Sequence, residues 1–343
     1  MVAYIVRRLM LLPLLMFLVT LFVFGIFSLL PPKQRASLYL AGDVPKSPDA
    51  MERVIERYGL NQPFHIQYLR WISHILRGDF GWSKTAQRPV LGALAHYFPA
   101  TLELALWAII PVIFVGIWLG ILSATHHNKP LDHFTRVFAL IGWSFPSYVY
   151  GLLLIMVFYA SLRWFPVGRV SDWVLRLESA GLFRNYTGMY TIDAILNGRP
   201  DVLADALRHM VMPVLTLAYI QWALLLRVTR SSMLETLRQE YVMTARSKGL
   251  PERTVIYKHA ARNAMIPVAT MGGLLLIGLL NGVVITETVF NYPGMGRWAA
   301  TAASQLDILS ALGFTLFNCA LLVLGNLFVD ILYALIDPRI RLE

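Results

Sequence analysis

Residues 227–268 read RVTRSSMLETLRQEYVMTARSKGLPERTVIYKHAARNAMIPV, and long apolar runs lie on both sides of them. From Arg227 to Arg262 the stretch holds eight Lys or Arg and three Glu. Met233, Leu237, Tyr241 and Ala245 nevertheless recur at every fourth position, the spacing that puts apolar side chains on one face of a helix. Gly249 suits the left-handed residue that closes a helix, and Pro251 bars its continuation. Glu252 then fits the first turn of a second short helix running through Lys258. A basic helical hairpin follows. By charge alone it suits an anionic lipid surface as well as a protein socket.

Working outward, a span of roughly 30 Å of hydrocarbon takes about 20 helical residues. Six runs qualify: Met10 to Leu30, Leu104 to Ala124, Val137 to Leu162, Met210 to Leu226, Ala264 to Thr286 and Ile308 to Val329, none containing Asp, Glu, Lys, Arg or His. The fourth is the shortest and holds Gln221; tilt, or snorkelling of Arg227 and Arg230, compensates. The first could be a signal peptide, with Arg7 and Arg8 as its basic start, but its long apolar part and the lack of a small-x-small site favour a retained anchor. With 57% hydrophobic and 15% charged residues among 343, the chain is far from the soluble average. The net charge of +10 is spread between apolar runs rather than gathered into an aromatic-interleaved stripe, which argues against nucleic acid. It fits instead the positive-inside rule, with both termini and the loops near Lys129 and from Arg227 to Arg262 cytoplasmic. The sole cysteine, Cys319, lies in an apolar run and reads as packing.

The loops at 31–100 and 163–208 are then outside. In the first, Val54, Ile55 and Tyr58, then Tyr68, Ile72 and Leu76, lie at helical spacing interrupted at Pro63, so two short helices near the membrane face are expected. The expected division is a cytoplasmic N-terminus and first span (1–30), an outside segment (31–100) and a core (101–343) containing the cytoplasmic loop 227–263.

Enzymatic chemistry is missing from the sequence. There is no HExxH, GxSxG or CxxC, and no Gly-Lys dipeptide for a phosphate-cradling loop. No catalytic residue and no metal site are expected; the His126-His127 pair beside Lys129 reads as a basic loop before it reads as a ligand set. Bare span centres also disfavour an ion-coupled secondary transporter. Glu103, Glu287, Asp307 and Asp330 sit at span edges and read as groups reaching interfacial water. Gly116 to Gly120 and Gly278 to Gly282 are GxxxG patterns, read as close helix packing. Pro111, Pro146, Pro213 and Pro267 can kink spans. Phe145 and Pro146, with Asn281 to Glu287 at the end of the fifth span, are the expected solute path, because a bend and polar edge groups suit a water-accessible surface.

The segments RVTRSSMLETLRQEYVMTARSKGL from Arg227 and HAARNAMIPV from His259 resemble the coupling loop of ABC importer permeases of the dipeptide/oligopeptide (peptide/nickel) family. The general importer motif is EAA, three residues, Gly, nine residues and I-x-L-P. Gly249 fits its Gly, Met243-Thr244-Ala245 stands where EAA would be, and His259-Ala260-Ala261-Arg262 stands where I-x-L-P would be. The TAR-x-KGL and H-A-x-R-N-A-x-I-P forms are those of the peptide branch. YGLNQPFHIQYLRWISHILRGDFGWS from Tyr58, FPATLELA from Phe98, ETVFNYPGMG from Glu287 and DPRI from Asp337 resemble the same permeases in the same order.

The resemblance implies an all-α integral membrane protein of about six transmembrane helices with the type I ABC importer permease fold and a large outside loop region. It implies a multi-pass subunit of a bacterial-type inner membrane forming half of a pore. Its expected ATPase-coupling residues are Tyr241, Thr244, Ala245, Arg246, Lys248, Gly249, Leu250, Arg253, His259, Arg262 and Asn263. Implied partners are a second related permease, two ATPase subunits holding ATP and Mg, an extracytoplasmic solute-binding protein and membrane lipid; this chain itself carries no cofactor. Solutes in the family range over dipeptides, oligopeptides, glutathione, nickel chelates and some sugars. A membrane scaffold or receptor without a pore is the remaining rival.

Overall fold

The computed structural model of the chain describes residues 2–38, 48–280 and 284–336. Asn281, Gly282 and the closing DPRI therefore lie outside the described residues. In order, the elements are α1 (Val2–Ser28), α2 (Pro32–Leu38), α3 (Pro48–Tyr58), α4 (Phe64–Leu76), a small antiparallel hairpin of β1 (Trp82–Ser83) and β2 (Arg88–Pro89), α5 (Val90–Thr125), α6 (Pro130–Ser144) and α7 (Ser147–Leu154), which continues as a π-helical Ile155–Ser161. Then come α8 (Asp172–Ser179), α9 (Tyr190–Leu196), α10 (Pro200–Thr236), α11 (Glu240–Ser247), α12 (Glu252–Thr254), a π-helical Val255–Ala260, α13 (Ala261–Leu280), α14 (Val284–Val289), α15 (Met295–Ser304) and α16 (Ile308–Ile336). Five helical stretches among the described residues are long and apolar enough to cross a membrane, and α6 with α7 and its π-helical continuation, bent by 103°, makes a sixth where the pair counts as one span. The chain divides into two compact units, residues 1–101 with 293–327 and residues 102–292 with 328–342.

In the first unit, α1 buries Thr20, Phe24 and Phe27 and leaves Leu14, Leu18, Phe22 and Ile26 exposed, as a lipid-facing helix must. Its buried side packs on Tyr68 and Trp71 of α4, and the Thr20 and Tyr68 hydroxyls bond at 2.8 Å. The two helices expected around Pro63 are α3 and α4. The β-hairpin is pinned by Asp307, whose carboxylate accepts from Ser83 Oγ (3.1 Å), Thr85 N–H (3.0 Å), Thr85 Oγ1 (3.0 Å) and Ser310 Oγ (2.7 Å). Burial pushes this carboxyl's pKa up, but the hydrogen bonds outweigh burial and hold it below its ordinary value. Asp307 is thus a buried anchor, which corrects its reading as a group reaching interfacial water.

In the second unit α10 is the strut on which the other helices pack. Gly116 and Gly120 of α5 let it come close: a Cβ on Gly116 would stand 2.9 Å from Leu225 Cβ, and one on Gly120 would stand 2.4 Å from Thr229 Cβ. Of the other expected close-packing pair, Gly278 differs, since a Cβ there meets nothing within 4 Å. The third span breaks because Pro146 lacks an N–H and disfavours helical geometry in the residue before it; Phe145 is extended, at φ −86° and ψ 131°. The bent pair still runs the length of α10. Asp132 meets Arg230, Phe138 meets Tyr219, and the Trp164 carbonyl meets Arg208. Arg208 and Arg230 are 22 residues apart on one helix, about 33 Å at about 1.5 Å per residue, enough to cross the hydrocarbon. The fourth span, expected over Met210 to Leu226, is the middle of this much longer α10.

Candidate coupling hairpin and solute path

The basic stretch folds as the end of α10, then α11, a turn, and α12 leading into α13. The single amphipathic helix expected from Met233 to Ala245 is two helices, because the chain leaves α-geometry after Thr236 and Gln239 is extended, at φ −73° and ψ 147°. The break rotates the second half, so that Val242 and Ala245 face inward with Met233, while Tyr241 is 40% exposed. The short helix expected to stop at Lys258 instead continues through the π-helical turn into α13. Gly249 is left-handed at φ +73°, as the turn requires, and a Cβ there would meet nothing.

One side of this hairpin is a small core. Met233, Val242, Ala245, Val255, Ala260, Ala261 and Ala264 pack with Ile121 and Ala124 at the end of α5. Two polar ties set its shape. Arg246 donates to Glu252 with both Nη2 (2.6 Å) and Nε (3.2 Å), clamping the helices across Gly249, and Asn263 Nδ2 donates to the Tyr241 hydroxyl at 2.8 Å. The other side is bare: Tyr241, Thr244, Arg246, Lys248, Gly249, Leu250, Arg253, Arg262 and Asn263 are exposed and His259 is half-buried. Ala245 differs from the rest of the expected coupling set, being a core residue that seats the hairpin. Met243, which stands in the EAA position but outside the expected coupling set, and Tyr257, which no motif singles out, join the bare face as large exposed apolar groups.

The rim of the second unit beside the hairpin carries an ion pair that sequence reasoning missed. Asp132, on the first turn of α6, is fully buried and bonded by Arg230 of α10. His127 leans toward this pair, 3.2 Å from Arg230 Nη2, and His126 Nδ1 bonds the Leu122 carbonyl at 3.0 Å. At the opposite rim, 22 residues back along α5 from Thr125, Glu103 accepts from Thr191 N–H (2.7 Å), Thr191 Oγ1 (2.8 Å) and Arg169 Nη2 (2.7 Å). The Arg169 guanidinium lies over the Tyr190 ring at 4.7 Å. Tyr292 Oη reaches the same carboxylate at 3.4 Å, and burial first, then the Glu103 charge, pushes its phenol pKa well up. Glu103 is 1% exposed and Glu287 on α14 is 0% exposed. Neither reaches interfacial water, because each carboxylate is enclosed by the fold. Of the expected path residues, Phe145 and Pro146 are exposed at the bend, whereas Glu287 is enclosed.

The family described as "Binding-protein-dependent transport system inner membrane component" matches residues 116–342, and "Binding-prot-dependent transport system membrane comp, N-term" matches residues 1–105. The chain is 44% identical over 317 residues to the probable D,D-dipeptide transport system permease protein DdpB of Escherichia coli (strain K12), covering 92% of this chain and 91% of that one. It is 38% identical over 341 residues to the di/tripeptide transport system permease protein DppB of Pseudomonas aeruginosa (strain UCBPP-PA14), covering 99% of each. With the oligopeptide transport system permease protein AppB of Bacillus subtilis (strain 168) it shares 36% over 343 residues, 99% of this chain and 100% of that one. These matches favour a transport subunit over a scaffold, receptor or free-standing ion-coupled carrier. Five apolar helices long enough to cross a membrane with a bent pair beside them, a basic hairpin seated on the end of α5 and matches along the whole chain agree, and the chain belongs to the inner-membrane components of binding-protein-dependent transport systems, as a multi-pass ABC importer permease.

Proposed function

We propose that this permease forms half of the pore of an ATP-driven importer of dipeptides, oligopeptides or closely related small solutes, and that the hairpin around Gly249 is its joint to an ATPase subunit. One observation carries this reading. The hairpin is packed on α5 yet leaves Tyr241, Met243, Leu250 and Tyr257 exposed together with Arg246, Arg253 and Arg262, the mixture of aromatic, Met and Arg side chains that protein interfaces favour. The partners are a sister permease, two ATPase subunits that bind ATP and Mg, and an extracytoplasmic solute-binding protein; lipid surrounds the spans. Relatives named for D,D-dipeptides, di/tripeptides and oligopeptides support the solute class. With six crossings both termini lie on the hairpin's side, which its basic residues make cytoplasmic. Phe145 and Pro146 face the solute path. In proteoliposomes holding the complete complex, peptide uptake is expected to require ATP and the binding protein and to survive ionophores. Uptake that needs no ATPase but collapses with the ion gradient overturns the proposal.

A further inference from the structure

We infer that the ion pair of buried Asp132 with half-buried Arg230 is the mechanical link through which movement of the coupling hairpin reaches the bend at Phe145-Pro146, which makes both of them positioning residues for transport. The inference rests on the hairpin being the ATPase joint. Arg230 lies on α10 six residues before its end at Thr236, and the hairpin begins at Glu240. Asp132 lies on the first turn of α6, and twelve residues further on, at Ser144, α6 stops at the bend. That distance is about 18 Å of uninterrupted helix. The pair therefore joins the helix that carries the hairpin to the helix that ends at the bend.

The joint is fixed in all directions. Arg230 Nε donates to Asp132 Oδ1 and Nη2 to Oδ2, both at 2.8 Å; Ser123 Oγ of α5 donates to Oδ1 at 2.6 Å, and the Asn128 N–H to Oδ2 at 3.0 Å. His127 Nδ1, 3.6 Å from Oδ2, is the other titratable group facing it. Beyond the pair, α6 meets α10 through Ala139 against Ala223 and Leu226, Gly142 against Tyr219, and one neutral hydrogen bond, from the Tyr219 hydroxyl to the Phe138 carbonyl at 3.2 Å. Apolar contacts and a single neutral hydrogen bond yield to a small axial shift at little cost. A two-pronged guanidinium–carboxylate contact does not, because displacement along the axis would strand a buried charge. Axial motion of the end of α10 is thus passed to α6 at Asp132 and delivered at the bend.

The test uses the complete complex in proteoliposomes and reads two quantities, solute-stimulated ATP hydrolysis and solute moved per ATP. With Asp132→Asn or Arg230→Gln, stimulated hydrolysis is expected to stay within about twofold of the parent while solute per ATP falls about tenfold, with partial recovery in Arg230→Lys. Asp132→Leu combined with Arg230→Met removes both charges together, leaves no unpaired ion to unfold the protein, and is expected to show the same loss. A pair that merely holds the fold would lower hydrolysis and transport together, in step with the amount of folded complex, and leave the ratio at its parent value; that result overturns the inference. Gly249→Val tests the underlying reading separately. If it leaves stimulation and transport normal, the hairpin is not the joint and the link falls with it. If it abolishes stimulation while the Asp132 variants keep the parent ratio, the hairpin stands and the link is wrong.

Discussion

At Gly249 the backbone is left-handed and the space where a Cβ would stand is empty. Any cost of substitution there is conformational rather than steric, on the order of 1–2 kcal/mol for an ordinary residue and more for a β-branched one. Gly249→Val is therefore expected to leave the protein in the membrane but to lower transport and stimulated ATP hydrolysis much more than abundance. Gly249→Asn, which tolerates that region, should stay close to the parent. A lipid-surface hairpin predicts another pattern, in which loss of charge matters and the glycine does not. Arg246 is a poor probe of charge because it clamps Glu252, so Lys248→Gln with Arg253→Gln is the informative comparison. Normal activity in Gly249→Val, with transport lost in that double variant, would move the hairpin from an ATPase to lipid. The turn itself was readable from the Gly-Leu-Pro order. The burial of Ala245 was not, because it depends on the break near Gln239 and on Ile121 and Ala124 far away in the chain.

Helix α5 packs on α10 through the absence of side chains at Gly116 and Gly120, and α13 offers a contrast. A side chain at Gly120 meets Thr229 Cβ at 2.4 Å and the Leu226 carbonyl at 3.0 Å, neither of which can swing aside, whereas Gly278 faces open space. Gly120→Val should force the helices apart and cost about 1–3 kcal/mol or more. This would be seen as a lower thermal midpoint of the purified chain in detergent, with Gly278→Val near the parent. Equal midpoints for the two would remove Gly120 from the helix interface. The two GxxxG patterns look alike in sequence because the pattern states only that close approach is permitted. Whether a neighbour takes the opening depends on where the next helix lies.

At the scale of the whole chain, the proposed topology of six crossings places the hairpin and both termini on one side and the segment 163–199 on the other. Asp193 is a poor reporter of that segment, since it is fully buried and its carboxylate accepts from the Thr187 and Gly188 N–H groups. Tyr186, 55% exposed, and Met243, 53% exposed, are better placed. With Cys319 replaced by Ala, Tyr186→Cys should react with an impermeant maleimide in intact cells and Met243→Cys only after permeabilisation. The reverse pattern would invert the topology. If both positions react in intact cells, α10 does not cross, because it is the one span between them. The rims of the second unit agree with a crossing of about 33 Å, one marked by Glu103 and Arg169, the other by Asp132 and Arg230.

Sequence alone determined which stretches are apolar enough to enter a bilayer, the turn at Gly249, the paired helices around Pro63 and the break before Pro146. Hydropathy and backbone preference are local properties, set by a residue and its near neighbours. Only the tertiary structure decided the fate of the carboxylates. Glu103, Asp132 and Asp307 sit near span edges, where water is the nearest partner that local reasoning can supply. Each instead finds its partner across the chain, at separations of 66 residues for Arg169, 98 for Arg230 and 224 for Ser83. A charge is buried only where a distant group of matching geometry completes its hydrogen bonds, and no window of sequence contains both halves of such a pair.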